Sequence, residues 1–271
     1  MNISIRLTAL FAGLVGSATA ASYFQNFDAF ADGTTDLGDG TVLASNIDNA
    51  GAGFPVGNAS VQGGELRFTE DNVNSQRASL RIPALPGSSL GWTATFDFTL
   101  FDAAGGNNPA DGFSLNYGDI QALSTVQGGP TGHGNAEGGM GGTQIAYTVD
   151  TWQVGDPGNQ PGVEILGAGS LYRVNGTTLA DGGNITGTAT ISWSPGTTSY
   201  STTGLDTNAN FSNVAHTFVG NDAYGWAFSA RTGGANEEFR IDNLVITTIP
   251  EPTGTALLGL AGMSFLLRRR R

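Results

Sequence analysis

Residues 145–165 read IAYTVDTWQVGDPGNQPGVEI. Val, Ile, Tyr and Thr dominate both ends, and these residue types suit a pleated, half-buried strand. The middle carries Gly155, Asp156, Pro157, Gly158, Asn159 and Pro161, which are turn formers. The stretch predicts strand, loop, strand. Its loop gathers carboxylates and amides at one edge of a sheet, where they can hold a cation or shape a ligand-binding rim.

Working outward, the same period of two recurs. In residues 91–101, Ala94, Phe96, Phe98 and Leu100 alternate with Thr93, Thr95, Asp97 and Thr99, so one face is core and the other wet. Asn107 to Gly112 turns the chain into Phe113–Tyr117, again alternating. Further strands are expected over Glu65–Thr69, Ala78–Ile82, Thr186–Trp193, Thr197–Thr202, Asn213–Phe218, Tyr224–Arg231 and Phe239–Thr247. No segment sustains an apolar period of 3.6. With 42 Gly in 271 residues, this is a chain of strands and turns. Its fold class is all-β: an antiparallel jelly-roll β-sandwich, one domain over residues 21–248.

Two loops invite functional readings. Residues 32–40 hold Asp32, Asp36 and Asp39 but lack the EF-hand spacing, so a solvated turn is expected. Residues 125–142 contain GGPTGHGNAEGGMGG, a backbone able to approach a ligand closely. A phosphate loop would need a helix next, whereas a strand follows.

Both ends differ from the middle. Arg6, the apolar run Leu7–Val15 and Ala18-Thr19-Ala20 form the three parts of an export signal peptide, residues 1–20. At the other end, residues 249–271, Pro250, Glu251 and Pro252 precede an apolar run to Leu267 and four arginines, Arg268 to Arg271. As a helix that run spans ~22 Å, short of the ~30 Å hydrocarbon core, with its basic end on the cytoplasmic side.

Removing Arg6, Glu251 and Arg268 to Arg271 from 11 basic and 23 acidic residues leaves six and 22, about −16. Such a surface repels nucleic acid and suits divalent cations with oxygen ligands. The chain has no Cys, so neither disulfides nor thiol nucleophiles enter the argument.

The C-terminal pattern resembles the PEP-CTERM sorting signal of exopolysaccharide-producing Gram-negative bacteria. That resemblance implies export through the inner membrane and transient anchoring by a transmembrane helix. An exosortase-type membrane protease then acts, and the protein ends at the cell surface or in the extracellular matrix. The middle resembles the concanavalin A-like superfamily, its L-type lectins and LamG-like relatives. The matching pieces are Ala110-Asp111-Gly112-Phe113, Gly138 to Gly142 running into Ile145–Trp152, Gly225 to Gly233 and Phe239 to Leu244.

Carried over residue by residue, Asp111 would bond sugar hydroxyls. Backbone N–H groups from Gly139 to Gly141 would add a second contact, while Trp152 stacks on a sugar face or packs inward. Gln153 or Asn159 would substitute for a missing calcium and sugar ligand. Asp150, Asp156 and the Trp152 carbonyl would hold calcium, or the same side chains would merely cap turns. Thr148 and Gln160 stand where that family has its transition-metal ligands, and neither suits such an ion; Val154 stands where it has a calcium and sugar Asn. Carbohydrate, such as exopolysaccharide, is the implied partner; a non-catalytic structural matrix protein is the alternative.

An enzyme is not expected. A glycoside hydrolase needs two carboxyl groups roughly 5–9 Å apart, and no E-x-D-x-E pattern occurs. Glu164 with Asp150 is the best available pair. His133 and His216 lack any accompanying G-x-S-x-G.

Overall fold

In the computed structural model, alternation along Trp92–Phe101 sends Trp92, Ala94, Phe96, Phe98 and Leu100 into the space between two sheets. The structure describes residues 19–47, 59–102, 109, 111–120, 142–152, 162–167, 170–175, 183–205 and 209–250. In chain order the strands are β1 (Ser22–Gln25), β2 (Val42–Ile47), β3 (Ser60–Gln62), β4 (Glu65–Thr69), β5 (Gln76–Ile82), β6 (Trp92–Phe101), β7 (Gly112–Gly118), β8 (Thr143–Asp150), β9 (Gly162–Leu166), β10 (Ser170–Asn175), β11 (Asn184–Ser194), β12 (Thr197–Thr202), β13 (Asn210–Ala215), β14 (Gly225–Arg231) and β15 (Glu238–Thr248). Among the described residues there is no helix.

One sheet orders β13-β12-β11-β6-β15-β4-β3, with β1 also on β15; the other orders β10-β9-β8-β7-β14-β5-β2. Each pairing described is antiparallel. This is an antiparallel jelly-roll β-sandwich. Aromatic rings fill its middle. Phe113 stacks on Phe239 at 4.0 Å, Phe96 meets Phe228 edge-on at 4.7 Å, and Trp92 meets Tyr117 at 5.2 Å. Each such side chain contributes about 1.5–3 kcal/mol on burial.

β7 and β8 are buried on both faces. Their second face is polar: Ser114, Asn116, Thr148 and Asp150 are all enclosed. The Asn116 amide donates to Ser114 Oγ at 2.9 Å and to the Ala227 carbonyl at 3.1 Å. Chain ends of the sandwich are tied together, since Thr248 N–H donates to the Ala21 carbonyl at 2.9 Å.

Three departures from the sequence expectation matter. The strand expected over 213–218 lies at Asn210–Ala215, and within it Asn213 adopts φ 55° where the register against β12 shifts. His216 therefore falls just past the strand, stacked on Trp193 at 5.7 Å. β10, short and at a sheet edge, was not anticipated. It proves central to the site.

Candidate functional site

The second face of the seven-stranded sheet ends where β7 begins and β8 finishes. Gly112 pairs with Asp150 there, and Asp111 stands just before β7. The Asp111 N–H donates to the Arg231 carbonyl at 2.9 Å, and its own carbonyl accepts from Thr151 N–H at 3.3 Å. Asp111 is thus stitched between β8 and β14. Gly112 explains the Asp-Gly pair: at φ 108°, a Cβ would lie 2.0 Å from the Val149 carbonyl oxygen.

Two arginines meet this end. Arg231 Nε donates to Asp111 Oδ2 at 2.6 Å. Arg173, on β10, reaches over to give Nη2–H to Asp150 Oδ2 at 2.8 Å and Nη1–H to Glu164 Oε2 at 2.8 Å. Asp150 Oδ1 accepts the Trp152 backbone N–H at 3.1 Å. Gly233 flanks Asp111, and a Cβ on it would lie 3.4 Å from Oδ2, so glycine leaves that side of the carboxylate clear.

Burial sets the electrostatics. It raises the Asp111 carboxyl above its ordinary range, although the charges of Arg231 and Arg77 pull the other way. It also raises Asp150, against the Arg173 bond, and the nearby Asp111 charge adds to the rise. Burial alone would lower Arg173; its bonds to Asp150 and Glu164 raise it instead. Glu237 lies beneath, 1% exposed, accepting from the Thr151 hydroxyl at 2.6 Å. Burial drives its carboxyl up to about 8, opposed by the Thr151 bond and reinforced by Asp111, Asp102 and Asp150. It keeps its proton at neutral pH.

Of the residues singled out from sequence, Asp111, Asp150 and Trp152 come together at this end. Glu164 joins them through Arg173. Gly139, Gly141, Asp156, Asn159, Glu251 and Pro252 lie outside the described residues. Pro250 follows Ile249, whose N–H donates to the Gly91 carbonyl at 2.9 Å, at the opposite end of the sandwich. Arg173, Thr151 and Glu237 were not anticipated. Arg231 lies within the Gly225–Gly233 stretch that carried the resemblance, but its own role was not singled out.

Calcium on Asp150 was the expectation from resemblance. Both carboxylate oxygens are engaged, one of them by a guanidinium. Like unit charges about 4 Å apart repel by ~4 kcal/mol at an effective dielectric of 20, and a divalent ion doubles that. A divalent cation on Asp150 would therefore compete with Arg173 for the same carboxylate. Among the described residues, no group of three or more His, Cys, Asp or Glu side chains is placed to hold a metal.

No protein-family model and no curated protein matches the chain. Solved structures do. Peanut lectin with a nine-residue peptide has a TM-score of 0.59 at 16% identity, covering 87% of this chain and 100% of that one. The acidic lectin of winged bean, complexed with methyl-α-D-galactose, gives 0.55 at 18%, covering 86% and 100%. The exoplasmic/lumenal domain of VIP36, in a Ca2+/mannose-bound form, gives 0.54 at 16%, covering 77% and 91%.

Proposed function

We propose that the protein is a lectin-like carbohydrate-binding module whose sugar site is the Asp111 end of the sandwich. One observation carries this reading. Asp111 is fixed by two backbone bonds and aligned by Arg231, with Gly233 and the Trp152 segment beside it. A carboxylate held this way loses little freedom on accepting sugar hydroxyls. Support comes from the similarity to lectins described above, one with bound galactoside and one with bound mannose. The reading is non-catalytic, and its natural ligand is the exopolysaccharide of the producing cell.

The same proposal includes export by residues 1–20 and sorting by residues 249–271. An exosortase-type protease would act at Pro250-Glu251-Pro252, delivering the sandwich to the surface or matrix. Support is the order of triplet, short apolar run and arginines. Replacing the triplet with alanines should keep the protein in the membrane fraction; unchanged release would refute sorting.

Binding is tested on a glycan array with the wild type and Asp111→Ala. Wild-type signal on particular glycans, lost in the variant, is the expected outcome. A second reading, a structural matrix scaffold, is favoured by the low exposure of the Asp111 side chain, 7%. No signal from either protein, together with altered matrix on gene deletion, would select that reading.

A further inference from the structure

We propose that Arg173 takes the place of a divalent cation at the Asp111–Asp150 end, so that the end is assembled and held without metal. This concerns how the carboxylates are held and stands apart from whether a glycan binds.

The three nitrogens of one guanidinium reach three acceptors on three neighbouring strands. Nη2 donates to Asp150 on β8 and Nη1 to Glu164 on β9, each at 2.8 Å, while Nε donates to Asn175 Oδ1 on β10 at 2.6 Å. A planar fork with fixed donor directions suits three acceptors spread around it, whereas a lysine offers a single nitrogen. The strand register explains the reach. Arg173 pairs with Glu164, while Asp150 and Asn175 each pair with Gly162. Gly162 leaves a gap in the row, and the arginine head leans into it: a Cβ there would lie 3.3 Å from Arg173 Nε.

The surroundings favour a permanent charge. Side chains of Asp150 and Glu164 are 2% and 8% exposed, and that of Arg173 is 16% exposed. Water does little to screen them. Only six arginines remain in the acidic sandwich between residues 21 and 248, and this one is set between two carboxylates. A calcium ion requires oxygen ligands at about 2.3–2.6 Å. On Asp150 it would displace the guanidinium or sit against it.

The test is thermal unfolding of the full chain in EDTA and in millimolar calcium, for wild type, Arg173→Gln and Arg173→Lys. Wild type should unfold at one temperature in both buffers. Arg173→Gln should unfold about 5–15 °C lower in EDTA, as expected for breaking a buried pair. It should then gain a calcium response, because Asp150 and Glu164 are left without their cation and a bound ion stabilises the folded state. Arg173→Lys keeps the charge and should recover part of the loss with no calcium response. A merely structural arginine would not create that metal response, so its absence in a folded Arg173→Gln would overturn the proposal. Should Arg173→Gln fail to fold, calorimetric titration of wild type with calcium decides: no binding heat supports the proposal, and saturable binding that raises the unfolding temperature overturns it.

Discussion

At one end of the sandwich Asp111, Asp150 and Glu164 meet Arg231 and Arg173; at the other, Trp92, Trp193 and Trp226 crowd around Tyr117. β7 and β14 run side by side from one end to the other. β15 runs from Phe239, stacked on Phe113, to Thr248, paired with Trp92. The aromatic end is held by area and shape, which pH and salt barely touch. The polar end is held by buried charges that must be paired, and it changes with every proton or charge added. Such an end is costly to build for stability alone, which supports the proposal of a sugar site there.

Substitutions should separate the two. Trp226→Ala, fully buried among Trp92 and Tyr117, should cost about 3–5 kcal/mol. Denaturant unfolding at pH 5 and pH 8 should show nearly the same loss. A loss that varied with pH by more than half would break the distinction between the ends.

Glu237→Gln should act in the opposite manner. The unfolded chain releases the Glu237 proton near its ordinary 4.5, whereas the folded protein holds it to about 8. The stabilisation is therefore fully present below pH 4.5 and declines as pH rises through about 8. Asp111 and Asp150, both raised, contribute in the same direction. Glutamine cannot ionise, so the variant should lose much of that decline and be more stable than wild type at pH 8 by on the order of 1–3 kcal/mol. Parallel stability–pH curves for the two proteins would show that Glu237 is not the group responsible.

The sequence revealed these two ends unequally. Alternation along Trp92–Phe101 declared the core, because a sheet with one wet face prints its period on the chain. β4 and β12 coincide with the expected Glu65–Thr69 and Thr197–Thr202. Asp111 and Asp150 were singled out through the resemblance to L-type lectins, not through a local pattern. Their counter-charges were not singled out at all. Arg173 lies 23 residues from Asp150, and Arg231 lies 120 from Asp111. Pairing across a sheet depends on strand order and register, which no local pattern carries. β10 was hidden for a related reason, since a short edge strand has little alternation to show. Glu237 carried no local signal, and its burial under Thr151 is visible only in the packing.

The four tryptophans report on both ends at once. Trp152 adjoins Asp150 at the polar end, whereas Trp92, Trp193 and Trp226 form the aromatic one. Titrating a glycan selected on the array into 15N-labelled protein, while following the four indole N–H resonances, tests directly where sugar binds. The Trp152 signal should shift and saturate while the other three stay in place, and Asp111→Ala should abolish the shift. Movement of Trp92, Trp193 or Trp226 with Trp152 unchanged would contradict a sugar site at Asp111.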